Sequence, residues 1–403
     1  MPWFIIIILS ILFGGDLAWL WWSARKLKRQ GISLPWRILH GLLIAAFPCA
    51  LLWMMAGRFD MEIAEPPLWI VVPVYIWHLL ILPVLVFAVM PLDAIWRIIR
   101  WTWRRAVSGK TNEPADPGEV LSRRRFIGAL AVGAPALVAL GTSASALQGL
   151  GGFRVRKIRV PIEALPSGLE GFRIAHVSDT HVGRFVDRDL LRKYAEAANA
   201  LEADLVAVTG DILNDTLEVL PEAVEFLQSL KARHGLAICE GNHDLISSRA
   251  GFEDGMRAAG LPLLVNESLL LSHQSVPVRI LGVRWGRGGE RLQHAGSEEE
   301  MMRDNVQAAS AELRDGEFPI LLAHHPHVFD HAAGIPLTLS GHTHGGQLML
   351  NNQIGAGPAL FRYWSGAYQD AARHLVVSNG IGNWFPVRIN APAELIEITL
   401  VGV

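Results

Sequence analysis

Cysteine is nearly missing from this chain of 403 residues: Cys49 lies inside an apolar stretch and Cys239 in an apolar run before a glycine. Two such unrelated positions exclude a disulfide framework and a Cys-based zinc site. Nothing beside Cys239 would activate a thiol, so it reads as a small buried strand residue. Strong charge of either sign is missing too. With a formal net charge of −2 and no interleaved basic and aromatic residues in the back half, no nucleic-acid partner is expected. No Gly-x-Ser-x-Gly elbow and no Gly-x-x-x-x-Gly-Lys-Ser/Thr run occurs, which removes the usual signs of a serine nucleophile and of a phosphate-cradling P-loop. Internal repeats and low-complexity tracts are also missing.

Apolar residues are abundant, at 51% with mean hydropathy +0.29, which is high for a wholly soluble protein. Most of the fourteen tryptophans come before Trp103, often next to Arg or Lys, as rings settled at a bilayer surface do. Residues 2–22, 38–56 and 67–92 read as three membrane spans. Arg25, Lys26, Lys28, Arg29 and Arg37 after the first, and Arg97, Arg100, Arg104, Arg105 and Lys110 after the third, mark the cytoplasmic side. The acidic loop holding Asp60, Glu62 and Glu65 then falls outside. Within the spans Asp16 is read as alone and His78 as a packed residue, so no charged pair suggests transport.

The expected organisation is a three-span helical region at 1–110, a cytoplasmic linker at 111–121, a segment at 122–147 and a catalytic domain at 153–403. The third of these opens on Ser122-Arg123-Arg124-Arg125-Phe126-Ile127 and resembles a twin-arginine export signal. A fourth membrane helix with a positive-inside anchor is the other reading. Both put the following domain on the periplasmic face of a bacterial inner membrane, and Ala144-Ser145-Ala146 fits signal-peptidase cleavage after Ala146.

From Arg173 short apolar runs alternate with amphipathic ones. Strands are expected at 174–177, 205–208, 236–239, 278–283, 320–323, 337–339, 375–377 and 395–400, with helices at 190–201 and 220–230. That pattern is an α/β sandwich of mixed sheets flanked by helices, behind an all-helical membrane region. Polar clusters close the strands: Asp179-Thr180-His181, Gly210-Asp211, Gly241-Asn242-His243-Asp244, His324-His325-Pro326 and Gly341-His342-Thr343-His344. Carboxylate, imidazole and carboxamide groups without thiolate suit borderline divalent metals such as Mn, Fe, Co or Zn. The neighbouring glycines are expected to make positive-φ turns that bring ligands close to an ion.

The five clusters in this order resemble the calcineurin-like metallophosphoesterase superfamily, over about 173–346. The Gly345-Gly346-Gln347 extension and the tail through Gly380, Gly382, Pro386, Arg388, Pro392 and Glu394 resemble its membrane-associated phosphodiesterase branch. The resemblance implies that Asp179, His181 and His344 hold one metal, that Asn242, His324 and His342 hold the other, and that Asp211 bridges them. It also implies that His243 is the non-ligand proton donor and that Asp244 orients it. Two cations so placed polarise a phosphoryl oxygen and generate a metal-bound hydroxide as nucleophile.

Outside this set, His325, His327 and His331 read as helix-face or solvent residues, and His176 as a packed strand residue or an indirect donor. Arg279, Arg284, Arg287 and Arg291 crowd a Gly-rich segment. Arg284 follows Gly282-Val283 where the family commonly carries an acidic residue; the cluster reads as an anion grip or as a solvated turn. Arg388 is the better substrate candidate, and Glu298-Glu299-Glu300 reads as a first helical turn. The expected activity is hydrolysis of a phosphodiester or pyrophosphate bond of a lipid-linked or envelope substrate. Alternatives are a UDP-2,3-diacylglucosamine pyrophosphatase-like hydrolase of lipid A assembly and a non-catalytic membrane sensor on the same fold. The expected partners are a phosphate-ester substrate and the lipid bilayer.

Overall fold

The apolar runs of the front third are helices in a computed structural model that describes residues 3–58, 63–107, 117–286, 297–351 and 353–403. The chain divides into two units, Met1–Gly149 and Leu150–Val403. In the first, α1 (Trp3–Arg29) and α2 (Leu34–Arg58) precede a long helical path. That path is α3 (Leu68–Tyr75), a π-helical segment Ile76–Ile81, α4 (Leu82–Val84), a second π-helical segment Leu85–Val89 and α5 (Met90–Val107). Pro73 and Pro83 each remove an N–H donor from it, the kind of gap that local π register absorbs. The helix α6 (Pro117–Gly149) contains Pro135.

Ile6–Arg29, Leu34–Gly57 and Leu68–Arg105 are long and apolar enough to cross a membrane. Ile7, Ile11, Trp36, Leu42 and Phe87 point outward, an apolar surface that lipid would cover. α1 runs past the span end expected at residue 22 because its basic turn stays helical. There the Arg25 guanidinium lies 4.0 Å over the Trp21 ring and the Lys26 ammonium 4.3 Å over Trp22, as snorkelling cations do. Residues 122–147 lie within α6, which also takes in 117–121 of the expected linker. The rest of that linker, from 111 to 116, lies outside the described residues, as do Asp60, Glu62, Arg287, Arg291 and the side chains of Arg123, Arg124 and Arg125.

In the second unit two sheets pack face to face. The strands β1 (Arg154–Ile162), β2 (Arg173–Val177), β3 (Leu205–Thr209), β4 (Leu236–Cys239) and β11 (Glu394–Gly402) form one, in the order β1-β11-β2-β3-β4. The other comprises β5 (Glu267–His273), β6 (Val276–Gly282), β7 (Phe318–Leu322), β8 (Leu337–Ser340), β9 (Gly366–Asp370) and β10 (Arg373–Val377), in the order β5-β6-β7-β8-β10-β9. The last strand, β11, closes the first sheet, parallel to β1 and antiparallel to β2.

Ile174, Leu205, Ala207 and Cys239 from one sheet meet Ile280, Ile320, Leu339 and Val376 from the other in a dry core. Burial pushes the Cys239 thiol up, so it stays inert. The helices α7 (Arg188–Asn199), α8 (Leu220–Ser229) and α9 (Arg249–Ala258) cover the outer face of the first sheet through Leu191, Phe226 and Phe252. α10 (Glu298–Ala309) covers the second through Met302 and Val306, and the short α11 (Ala356–Leu360) follows. A capping box between Ser297 and Glu300 opens α10, so the Glu298–Glu300 run is a first helical turn. The fold is the expected α/β sandwich; the strands not foreseen, β1, β5 and β9, end their sheets.

Candidate metal centre

Every polar cluster of the sequence follows a strand of the two facing sheets. Asp179 and His181 follow β2, Asp211 follows β3, Asn242 to Asp244 follow β4, His324 follows β7, and His342 and His344 follow β8. Their ligand-type atoms gather into three groups lying within 4.8 Å of one another: Asp179, His181 and His344; His181, Asp211 and His243; Asp211, His324 and His342. Asp211 belongs to two of them. Its Oδ2 is 3.2 Å from His324 Nε2 and 3.6 Å from His181 Nε2.

Close approach is obtained through the backbone. Asp179, His181, Asp211, His342 and His344 all have φ between 49° and 71°, a left-handed conformation costing roughly 1–2 kcal/mol each for a residue with a Cβ. Among the glycines expected to turn there, Gly210 has positive φ, whereas Gly241 and Gly341 do not. What these two supply is space: a Cβ on Gly241 would strike Asp211, and one on Gly341 would strike Ser178 and Asp179.

Side chains behind the cluster set its tautomers. His324 Nδ1 donates to Thr209 O at 2.7 Å, which leaves Nε2 to face Asp211. His176 of β2 starts a directed chain: its Nε2 donates to Thr209 Oγ1 at 2.8 Å, Thr209 to Ser178 Oγ at 2.7 Å, and Ser178 to Asp179 Oδ2 at 2.5 Å. Burial lowers His176 to about 3, so it stays a neutral donor at the end of that chain. Burial likewise lowers His181 to about 3 and His342 to about 2, and puts His344 well below the usual range. Burial would lower His324 as well, but the Asp211 carboxylate outweighs it and raises the imidazole to about 9. Asp211 itself is held well below the carboxylate range: burial opposes ionisation, and His324 overrides it.

This arrangement fits divalent cations. Ring nitrogens crowd together, with His181 and His344 Nε2 3.0 Å apart and His342 Nδ1 3.3 Å from His324 Nε2. Asn242 Oδ1 is buried with no hydrogen-bond partner. A buried acceptor left so is costly unless a cation or a proton lies beside it.

Two residues stand differently from expectation. Asp244 does not hold the His243 ring. Its carboxylate accepts from Ile212, Leu213 and Gly241 N–H groups at 2.8 Å, stitching the loops after β3 and β4 together, while His243 Nδ1 donates to Asn214 O at 2.5 Å. Arg388 has no donor left for a substrate. Its Nε binds Asn383 Oδ1, its Nη1 binds Asn379 O and Ala391 O, and its Nη2 binds Gly382 O at 2.6 Å and His344 Nδ1 at 2.9 Å. A guanidinium has five N–H groups, and all five are engaged.

The sequence reading missed two aromatic walls. Trp285 lies 4.9 Å from the His342 ring and 5.3 Å from that of His324. Its backbone N–H donates to Glu240 Oε1, and Arg249 binds both Glu240 and Trp285 O. Trp384 lies 6.3 Å from both His243 and His344. Neither tryptophan sits in a ligand-like motif, so only distance reveals them. Beside Trp285, a cavity of about 140 Å³ is lined by Val283, Met301, Met302, Val328 and His324. His325 and His327 are engaged locally: His325 Nδ1 accepts from His327 N, and His327 Nε2 from Arg362 N.

Residues 172–346 match the family model described as calcineurin-like phosphoesterase. A Danio rerio protein described as a transmembrane protein with metallophosphoesterase domain is 30% identical over 263 residues, 61% of this chain and 57% of that protein. An uncharacterized metallophosphoesterase of Bacillus subtilis is 29% identical over 59% of this chain and 81% of its own length, and one of Helicobacter pylori 24% over 63% and 65%. The chain thus spans little more than half of the Danio rerio relative. A dimetal phosphatase structure from Danio rerio aligns over 52% of this chain and 88% of its own at 13% identity, with a TM-score of 0.29, a likeness too slight to weigh.

Proposed function

The Leu150–Val403 unit belongs to the calcineurin-like metallophosphoesterase superfamily, its membrane-associated phosphodiesterase branch by our reading, and from that premise we propose that it hydrolyses a phosphodiester or pyrophosphate bond with two divalent metal ions. The observation that carries this is the position of Asp211 between two groups of ligand atoms, Asp179, His181 and His344 on one side and His324 and His342 on the other. Asn242 would complete the second set through its unpartnered Oδ1, and Asp211 would be shared by both sets. When bound, two such cations supply Lewis acidity toward a phosphoryl oxygen and a nucleophile from water at neutral pH; Mn, Fe, Zn and Co suit these donors.

The chain's own residues do the rest. His243 is held by Asn214 O at Nδ1, so Nε2 is the atom that can pass a proton to a leaving oxygen. Asp244 keeps the two ligand loops in register through its three N–H bonds. Arg388 fixes the His344 ring. Trp285 and Trp384 flank the ligands and would exclude water from the reacting phosphorus, strengthening each polar contact there.

A substrate with an apolar arm suits the Met301 and Met302 cavity, and the three apolar helices support a lipid-linked or envelope phosphate ester. The basic clusters after the first and third spans support a unit on the periplasmic face of a bacterial inner membrane, exported by the twin-arginine-like 122–147 segment. Full-length protein in detergent, stripped of metal and resupplied with Mn, Zn, Co or Mg, would be assayed on a chromogenic phosphodiester and a phosphomonoester. Diester hydrolysis restored by Mn or another borderline metal is the expected result. No hydrolysis of either ester with two metals bound would favour the sensor alternative.

A further inference from the structure

A buried acid–base pair joins α1 to the π-helical segment Ile76–Ile81, and the phosphoesterase chemistry makes no use of it. Asp16 Oδ2 lies 3.0 Å from His78 Nε2, and Trp77 Nε1 donates to Asp16 Oδ1 at 2.8 Å. Asp16 is 3% exposed, His78 2% and Trp77 0%. The sequence suggested a solitary Asp16 and a packed His78, because 62 residues separate them and only the helical packing brings them together. An ionisable pair inside apolar spans is costly to keep and marks a working site by default.

The hydrogen-bond pattern dictates its proton content. His78 Nδ1 is 2.9 Å from Val74 O; a carbonyl only accepts, so Nδ1 carries a hydrogen. If His78 were neutral and Asp16 ionised, Nε2 and Oδ2 would turn lone pairs on each other at hydrogen-bond distance. A proton therefore lies between them, on either atom, and the pair is electrically neutral as a whole.

The surroundings supply no substitute for that proton. α6 has no ionisable side chain between residues 126 and 149, and residues 79–92 have none. α2 contributes Arg37, His40, Cys49 and, at its last residue, Arg58, and His40 is bound to Ser23 at 2.9 Å. Further along α1, Lys26 pairs with Asp93, which Arg97 and Trp22 also bind. Asp16, Trp19, Ser23 and Lys26 recur at three- and four-residue spacing and so form one stripe on α1. Within it the Trp19 indole N–H is fully buried with no partner, a second polar group left open beside the pair.

We propose that Asp16 and His78 form a proton-binding site of the helical unit, and that losing the proton separates α1 from the π-helical segment. Deprotonation leaves two acceptors 3.0 Å apart and a carboxylate in apolar surroundings, a state that must relax by moving. The π register is the part of the helical path with slack to move, and π-bulges recur at functional sites.

The test is pH-difference infrared spectroscopy on the full-length protein in lipid nanodiscs, between about pH 5 and about pH 9. An aspartate carboxyl band and an imidazole band should change together with one midpoint, and both should vanish from the difference spectrum in Asp16→Asn and in His78→Gln. Asp16→Asn keeps an oxygen for the Trp77 N–H, so the packing has a way to survive. Should both variants fail to fold, ¹⁵N-imidazole spectra of the wild type decide, with the His78 ring assigned through its backbone connectivities: titration of that ring supports the site, and an invariant His78 ring overturns it. Wild-type spectra identical to those of Asp16→Asn across the range would also overturn it, leaving the pair a static bridge.

Discussion

Asp211 and His243 sit side by side, since His243 N–H donates to Asp211 Oδ1 at 2.8 Å, yet their replacements should behave differently. Asp211→Ala is expected to remove bound metal and activity together, because it removes the carboxylate common to both ligand groups. His243→Ala is expected to keep the metal and slow turnover by roughly 10²- to 10⁴-fold, the usual size of a lost proton donor. Metal analysis alongside single-turnover rates checks the pair of outcomes; equal metal loss in both variants would refute the division. Arg388→Lys tests positioning. One ammonium cannot hold His344 Nδ1, Asn383 and three carbonyls at once, so metal affinity should fall about 10- to 100-fold, as for other outer partners of a ligand, and titration calorimetry reads this without turnover. These roles were legible in unequal degree. The ligands and His243 stand in short motifs, while Arg388 and Asp244 looked like substrate and proton-relay groups because a sequence cannot show where a donor's hydrogens are already used.

At the scale of elements, strand ends set what each side chain can do. His176 is the penultimate residue of β2 and faces Thr209, and its neutral ring, lowered by burial to about 3, makes the fold acid-sensitive. Between that value and its ordinary 6.5 the unfolded chain binds a proton that the folded one does not, so this contribution to stability is lost as pH falls through the window. In metal-free protein the denaturation midpoint should therefore drop across this range, and His176→Gln should flatten the slope; an unchanged slope would assign it to other histidines. The N-terminus of α10 offers a separate check. Removing the Ser297 hydroxyl in Ser297→Ala should cost about 1 kcal/mol, read by chemical denaturation. The strands with long apolar runs were readable, because both their faces are buried between sheet and helices. β1 was not: its Arg-Val-Arg-Lys-Ile-Arg alternation belongs to a sheet edge, where pairing with β11 and the Arg154–Glu394 bridge replace hydrophobic burial.

For the whole molecule, the expectation that most needs testing is the side of the membrane on which the phosphoesterase unit lies. In a Cys49→Ser background, Cys239 is buried, so a cysteine placed at exposed Glu312 would be the one reactive thiol of that unit. A membrane-impermeant maleimide should label it in intact cells; labelling only after lysis would put the unit in the cytoplasm. By itself the sequence determined the apolar spans, the order of the main strands and helices, and the set of metal-ligand residue types, because period, length and donor chemistry are local properties. Tertiary structure alone decided which distant groups meet. It set Asp211 between two ligand groups, spent Arg388 on His344, brought Trp285 and Trp384 over the ligands, and closed Asp16 onto His78. Such contacts depend on where strand ends and helix faces converge in space, and nothing in the residues between them carries that distance.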